Sequence, residues 1–303
     1  MRILLIFIDG VGLGGDSPAN PFSYADTPKL NKILDGADLT FSNAGFSGSA
    51  ATLLALDATL GVPGLPQSAT GQATIFTGEN APVLINKHLN GFPNRQLRQL
   101  LAEKGMFKVL KSKGYKVSFA NAYRPVFFNK LRHGLPGDRY SCSTLITYYG
   151  GVNFHTVDDI NCGKALFMDI TNDILKRMGL SVPIITPEEG AGQLHRISAE
   201  FDLCLFEYFL TDLAGHLGEY KESERVISII DKFIGRLADL INPAEEFIII
   251  CSDHGNIEDL TIRKHTLNKV PALLIGDSAL RNELQKEMRD LTDIIPALYR
   301  VLK

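Results

Sequence analysis

Three short apolar runs along the chain each end close to a residue that can bind a metal ion. The runs and their aspartates are residues 3–8 before Asp9, residues 203–210 before Asp212, and residues 247–251 before Asp253. Continuous runs rich in Ile, Leu and Phe are typical of strands buried on both faces, as in parallel sheets. Because ligands collect beyond the carboxyl ends of parallel strands, the pattern predicts a metal site at one edge of a sheet.

Helical patterns alternate with these runs, and this alternation favours an α/β fold. A short helix is predicted over residues 69–77, where Gly78 would close it. Ser68 would then lie at the N-terminus of that helix, where backbone N–H groups can bind an anion.

The alternation breaks down between residues 124 and 186. Glycine and proline clusters interrupt this segment, and a single helix is predicted near residues 165–178. We therefore predict that residues 124–186 form a small inserted cap. Residues 1–123 and 187–303 would form the metal-binding core, with a mostly parallel sheet.

Composition narrows the class of partner. The chain has 303 residues, of which 45% are hydrophobic and 21% charged, as in ordinary globular proteins. A net charge of -3 gives no general attraction to nucleic acid or to anionic membranes, so a small-molecule partner is expected. No apolar stretch reaches the length of a membrane span, and the first run is too short for a signal peptide. We expect a soluble, cytoplasmic protein, and its oligomeric state stays open.

Three histidines follow the aspartates at ligand spacing. His216 lies four positions after Asp212, so both side chains face the same way on a helical turn. His254 follows Asp253 directly, and His265 lies in a loop before another apolar run. Any one of these residues alone would more often be a cap, a turn residue or a core histidine. Together with Asp9 they are enough for two ions, and mixed carboxylate and imidazole ligands suit zinc or manganese better than calcium.

The order of these motifs resembles that of the alkaline phosphatase superfamily, and within it of cofactor-independent phosphoglycerate mutases and phosphopentomutases. The resemblance implies an alkaline-phosphatase-like three-layer α/β core with a small inserted cap. It spans both ends of the chain. The matching segments are residues 7–12 (FIDGVG), 67–72 (QSATGQ), 212–216 (DLAGH), 252–256 (SDHGN) and 265–271 (HTLNKVP).

The resemblance also implies a role for each candidate ligand. It assigns one divalent ion to Asp9, Asp253 and His254. It assigns a second divalent ion to the three remaining ligands, which are Asp212, His216 and His265.

Ser68 is the nucleophile that the resemblance implies, since a serine hydroxyl beside two cations can be activated for attack on phosphorus. Thr70 is a rival, because some relatives use threonine. The chain departs from the mutase pattern at two positions. Gln72 replaces a histidine that mutases carry, and Glu79 replaces an arginine.

We therefore expect hydrolysis of a small phosphate ester or phosphonate through a phosphoserine intermediate. A mutase must retain its product and return the phosphoryl group, and the predicted cap is short for that task. A phosphomutase is the alternative, and a metal-binding protein without catalysis is a second one. Basic residues in the cap are candidate substrate contacts, although a solvated basic face would explain them equally well. They are Arg124, Lys130, Arg132 and Arg139, and residues 137–140 faintly resemble a substrate-binding motif of mutases.

Overall fold

A computed structural model describes residues 1–131 and 139–303, apart from the side chain of Lys130. Arg132 and residues 137–138 of the mutase-like segment lie outside the described residues. The strands are β1 (Arg2–Ile8), β2 (Ala51–Leu56), β3 (Val117–Phe119), β4 (Leu203–Tyr208), β5 (Glu246–Cys251) and β6 (Val270–Ile275).

Helices precede, follow and separate these strands. In chain order the helices are α1 (Pro21–Tyr24), α2 (Pro28–Ile33), α3 (Ser68–Thr77), α4 (Ala81–Ile85), α5 (Arg95–Lys104), α6 (Met106–Ser112), α7 (Pro125–Leu131), α8 (Cys142–Tyr149), α9 (Val157–Asn161), α10 (Asp173–Arg177), α11 (Pro187–Ser198), α12 (Leu210–Leu217), α13 (Tyr220–Leu240), α14 (Ser278–Glu287) and α15 (Ile294–Leu302).

The described strands form one sheet in the order β2-β6-β5-β1-β4-β3. Strand β1 pairs in parallel with β4 and β5, and β3 pairs in parallel with β4. Strand β6 is antiparallel to both β5 and β2. The predicted α/β fold with a mostly parallel sheet is therefore confirmed, with β6 as the strand that runs the other way.

The apolar core lies on both faces of the sheet because successive strand residues point to opposite sides. In β1, Ile3, Leu5 and Phe7 join one cluster, which contacts α3, α5, α6, α8 and α15. Leu4 and Ile6 join the other cluster, against α2, α11 and α13. Two helical layers thus enclose the sheet, and the apolar runs of the sequence are buried on both faces as predicted.

Helix α3 begins at Ser68 and ends before Gly78, whose φ of 75° closes it in the left-handed conformation. The predicted helix over residues 69–77 is therefore confirmed to within one residue. The predicted helix near residues 165–178 is mostly wrong, since only α10 is helical there. Leu166 instead forms an isolated bridge with Asn121, donating its N–H to Ala120 O at 2.9 Å, and Ile170 has a φ of 66° that no α-helix accepts.

Residues 124–186 contribute to two different apolar clusters. Part of the segment forms a small cluster of its own, which includes Ile160, Phe167 and Leu175. Helix α8, in contrast, supplies Leu145 and Ile146 to the main core beside α3 and α5. The boundary between core and cap stays a prediction.

In the described residues, no helix combines the length and apolarity that a membrane span requires.

We expect a Gly71→Ala substitution to destabilise the fold, because α3 passes very close to the end of β5. A Cβ atom at Gly71 would lie 2.7 Å from the Asp253 carbonyl oxygen and 2.8 Å from its Cβ. Overpacking of this kind costs about 1–3 kcal/mol of unfolding free energy, which urea denaturation would measure.

The matched control is Gly192→Ala in α11, where the nearest heavy atom to an added Cβ is a flexible Arg196 nitrogen at 3.6 Å. Replacing a helical glycine at an open position stabilises by about 0.5–1 kcal/mol. If both variants gave the same unfolding free energy, the close approach of α3 to Asp253 would be disproved.

Candidate metal centre

The candidate ligands collect at the carboxyl edge of the three central strands. Asp9 follows β1, and Asp253 and His254 follow β5, its parallel neighbour. On the other side of β1, strand β4 leads into α12, whose first turn carries Asp212. Parallel pairing brings these strand ends together, which places residues far apart in sequence at one edge.

His265 reaches the same edge from the opposite direction. It lies before β6, and β6 is antiparallel to β5, so the start of β6 adjoins the end of β5. A bridge between Gly255 and Thr266 joins the two connecting segments. A residue before an antiparallel strand is therefore delivered to the same place as residues after parallel strands.

Asp212, His216 and His265 form the first group with ligand atoms close together. His216 Nε2 lies 3.4 Å from Asp212 Oδ2, as expected for positions i and i+4 of α12. His265 Nε2 lies 3.6 Å from Asp212 Oδ1. One ligand atom from each of the three residues lies within 4.8 Å of the others, a spacing that can hold one ion.

Asp9, Asp212 and His254 form the second group that meets the same distance. His254 Nε2 lies 3.3 Å from Asp9 Oδ1 and 3.6 Å from Asp253 Oδ2. All six predicted ligands thus lie in one cluster. Asp212 belongs to both compact groups, whereas Asp253 approaches the cluster through His254, so the division of ligands between two ions stays a prediction.

Backbone carbonyls orient two of the histidines. His265 Nδ1 lies 2.9 Å from Pro66 O, and His216 Nδ1 lies 3.2 Å from Arg263 O. A carbonyl oxygen only accepts hydrogen bonds, so each Nδ1 carries the proton in these contacts. The lone pair of each Nε2 then faces Asp212, which is the arrangement that metal-binding histidines require.

Ser68 lies beside the cluster, at the first residue of α3. Its Oγ is 3.1 Å from His254 Nε2, so the hydroxyl adjoins the same nitrogen that faces Asp9. Thr70, the rival nucleophile, is fully buried, and its hydroxyl is used within the fold. It donates to Gln67 O at 3.1 Å and accepts from the N–H of Leu89 at 3.2 Å.

The cluster has more negative charge than its surroundings compensate. Burial, followed by the charge of Asp9, holds the pKa of Asp253 well above its usual range, and Asp253 is 0% exposed. Burial likewise raises the pKa of Asp212. Burial disfavours the charged form of His254, but Asp253 and Asp9 outweigh it and raise the pKa of His254 to about 10. A bound cation would favour the ionised form of these carboxyl groups.

A second observation, at Asp9, supports the binding of divalent ions by these residues. Among the described residues, buried Asp9 Oδ1 has no hydrogen-bond partner of good geometry and only the ion-pair contact with His254 Nε2 at 3.3 Å, and a bound cation would stabilise this oxygen. Carboxylate oxygens together with imidazole nitrogens are ligands of zinc and similar transition metals.

Three further residues support the cluster, and none was predicted as a site residue. The Gln72 side-chain amide donates to Asp9 Oδ2 at 3.3 Å and to Asp253 Oδ2 at 3.2 Å. Asn256 Nδ2 donates to Asp212 Oδ1 at 2.7 Å. Glu258 accepts the N–H of Asn256 at 2.7 Å and so fixes that turn. Gln72 and Asn256 lie inside the quoted motifs, whereas the sequence offered no signal for Glu258.

A cavity of about 560 Å³ is lined by residues at the ends of β3 and β4 and by residues of the segments 121–127, 139–144 and 167–178. Arg124 and Arg139, the predicted substrate contacts, both line it. Glu207 also lines it, and Ser143 Oγ donates to Glu207 Oε2 at 2.6 Å. Burial raises the pKa of Glu207 to about 7; the hydrogen bond from Ser143 opposes this shift, and the charge of Asp9 adds to it.

The fold is alkaline-phosphatase-like, and the residues clustered at its sheet edge are of types that can hold divalent ions. Residues 188–302, which contain five of the six candidate ligands, match the family model described as the metalloenzyme superfamily. The resemblance predicted from the sequence motifs is therefore confirmed. Members of this superfamily use divalent metal ions, and the clustered ligands fit that requirement.

The chain is similar to proteins of two kinds, phosphoglycerate mutases in sequence and alkaline phosphatases in fold. A 2,3-bisphosphoglycerate-independent phosphoglycerate mutase of Clostridium tetani is 29% identical over 108 residues, or 33% of this chain. The chain spans only about a fifth of the length of that relative, 21%. Alkaline phosphatase from the Antarctic bacterium TAB5 superposes with a TM-score of 0.55 at 12% identity, covering 99% of this chain and 97% of that one.

A third structure, the PH0037 protein from Pyrococcus horikoshii, superposes with a TM-score of 0.60 at 16% identity. The superposition covers 99% of this chain and 97% of that chain. At these identities both structural matches establish the fold alone. They confirm the predicted alkaline-phosphatase-like core.

We expect Asp212→Ala to remove more bound metal than any other single substitution, because Asp212 belongs to both compact groups. His216→Ala should remove only about one ion, since His216 belongs to one group. Metal content per chain, measured by mass spectrometry after dialysis against zinc or manganese, would test this. Asp158→Ala, an exposed carboxylate outside the cluster, serves as the control. Equal metal loss from Asp212→Ala and Asp158→Ala would contradict the assignment.

We expect the unfolding free energy of the protein to depend on pH because of Glu207. Its pKa is raised in the folded protein, so its favourable contribution is complete below the ordinary glutamate pKa and is lost as pH rises through about 7. In chelator, Glu207→Gln should therefore match the wild type near pH 5 and exceed its unfolding free energy by about 2–3 kcal/mol at pH 8. Urea denaturation at both pH values measures this, and an unchanged difference would refute the raised pKa.

Proposed function

We propose that this protein is a two-metal-dependent phosphoryl-transfer enzyme that hydrolyses a small phosphate ester or phosphonate through a phosphoserine at Ser68. The observation that carries the proposal is the 3.1 Å contact between Ser68 Oγ and His254 Nε2. It places a hydroxyl against a ligand cluster whose composition fits divalent cations.

The six clustered residues would hold the ions. As the sequence motifs imply, Asp9, Asp253 and His254 would bind one ion, and the second would lie among Asp212, His216 and His265. Bound divalent ions would favour the alkoxide form of a serine hydroxyl and neutralise the phosphoryl oxygens. Zinc and manganese are the ions that we propose.

The position of Ser68 suits attack on phosphorus. It is the first residue of α3, and the unpaired N–H groups in the first turn of that helix favour a bound phosphate. Ser68 Oγ would bond to phosphorus as the ester P–O bond breaks, and the leaving alcohol oxygen takes up a proton. Water would then cleave the new bond, releasing inorganic phosphate and restoring the serine.

Thr70 fits the nucleophilic role poorly. Its hydroxyl is buried and hydrogen-bonded to Gln67 and Leu89, so it connects α3 to the preceding and following segments. Attack by Thr70 would require both hydrogen bonds to break. We therefore retain Ser68 as the nucleophile.

A phosphomutase is the second candidate, because the relative from Clostridium tetani is named as a phosphoglycerate mutase. Two features favour hydrolysis over this reaction. The matched segment covers 21% of that relative, and Gln72 occupies the motif position where mutases carry a histidine. In either reaction we propose a small phosphorylated substrate in the cytoplasm, with neither nucleic acid nor membrane as a partner.

We expect Ser68→Ala to lower turnover at least about 1,000-fold without loss of bound metal, since the covalent route would be closed. Thr70→Val should keep most of the turnover while losing about 1–3 kcal/mol of stability, because two buried hydrogen bonds are removed. Both are measured with zinc- and manganese-loaded protein against phosphate monoesters, diesters, phosphonates and sugar phosphates. Released phosphate and isomerised product are followed together.

The outcomes separate the candidate functions. Isomerised product without phosphate release would establish the mutase reaction. Metal-loaded wild type without turnover on any compound would favour a metal-binding protein that lacks catalysis. Full activity in Ser68→Ala, with loss in Thr70→Val, would overturn the choice of nucleophile.

A further inference from the structure

The cavity at the ends of β3 and β4 has a chemical character that the metal ligands do not explain. Aromatic side chains make up much of its wall, among them Phe119, Tyr123, Phe127, Phe167 and Phe209. Met168 and Met178 add polarisable sulfur to the same wall. A volume of about 560 Å³ is in the range of small-molecule sites.

The aromatic wall is held by its own packing. The Tyr123 and Phe127 rings stack with centroids 4.1 Å apart, and Phe154 meets both rings edge-on at 5.0 and 4.9 Å. The buried Tyr123 hydroxyl is satisfied by Thr144 Oγ1 at 2.8 Å. The aromatic side of the cavity is therefore pre-formed in the absence of a ligand.

Three connections join the cavity to the metal centre. Phe209 directly precedes α12, which carries Asp212. Tyr208 precedes Phe209, and its carbonyl accepts the N–H of Asp9 at 2.9 Å. Phe92, also in the wall, lies three residues after Leu89, whose carbonyl accepts the N–H of Ala69 at 3.1 Å. Ala69 follows Ser68. The wall is thus linked through the backbone to the segments that carry Asp9, Asp212 and Ser68.

Three charged groups line the cavity together with the aromatic side chains, and Arg124 Nη1 lies 3.4 Å from Met178 Sδ. Arg124 and Arg139 are exposed, and in the described part of the chain neither forms an ion pair. Glu207 is buried, and its Oε2 accepts a hydrogen bond from Ser143. A small hydrophilic organic group such as glycerate would leave most of the aromatic wall without a partner.

We propose that the substrate is a phosphate ester whose organic group is bulky, apolar and aromatic, and that this group occupies the cavity while the phosphate meets Ser68. This inference rests on the proposed phosphoryl transfer and specifies its substrate class. An aromatic group between aromatic and methionine side chains gains both apolar burial and ring contacts.

The test compares two esters of primary alcohols, so that the leaving groups have similar intrinsic reactivity. The esters are 2-(1-naphthyl)ethyl phosphate and ethyl phosphate. We expect the metal-loaded wild type to prefer the naphthyl ester by at least about 100-fold in kcat/KM, from the apolar area that it buries. Calorimetry with Ser68→Ala protein should give a similar ratio of dissociation constants without turnover.

Exposed residues of the cavity wall allow substitutions that spare the core. Val126 is 49% exposed and Met178 is 53% exposed. Val126→Glu or Met178→Glu should each reduce the naphthyl preference about tenfold, because a carboxylate beside an apolar group loses hydration. Ile184→Glu is the control, since Ile184 is 51% exposed in the same segment but does not line the cavity.

The results distinguish this inference from the proposed function. Turnover of both esters with equal kcat/KM and equal binding would overturn the aromatic substrate class and leave hydrolysis intact. Absence of turnover for both esters would overturn the proposed hydrolysis, and the binding ratio would then decide the cavity's preference alone. A loss of naphthyl preference in Ile184→Glu equal to that in Met178→Glu would also count against the cavity.

Discussion

Repulsion among buried carboxylates at the sheet edge is the interaction around which the site is arranged. Asp9 and Asp212 lie in one compact group with His254, and Asp253 shares the Gln72 amide with Asp9. Burial makes charge here costly, and the described side chains offer too few donors to satisfy every carboxylate oxygen. The fold can hold these groups together because strand pairing and core packing fix their backbones, and a bound cation would remove the repulsion.

The same edge explains why the nucleophile is placed by packing as well as by motif. Helix α3 approaches Asp253 so closely that only glycine fits at position 71. This contact sets the distance between the helix N-terminus and the ligand cluster. The position of Ser68 therefore depends on a steric requirement at another residue. The missing Cβ at position 71 allows the helix to reach the strand end.

The cavity shows a division of tasks between the two parts of the molecule. The sheet edge carries the clustered carboxylates and histidines, while the aromatic wall of the cavity comes mainly from other segments of the chain. In the functions that we propose, the chemistry class and the substrate choice therefore depend on different segments. This separation accounts for the weak sequence signal for substrate, since the motifs lie in the sheet and its connections.

The sequence alone determined the three central strands, the helix that follows residue 67 and the residues that cluster at the sheet edge. Those features depend on local apolar patterns and on residues beside strand ends, which a linear reading contains. The tertiary structure alone decided that β6 runs antiparallel and so brings His265 to the common edge. It also decided that Leu166 forms an isolated bridge with Asn121 where a helix was predicted, and that Glu258 holds the turn at Asn256. These outcomes depend on pairing between distant segments, whose energy no local pattern records.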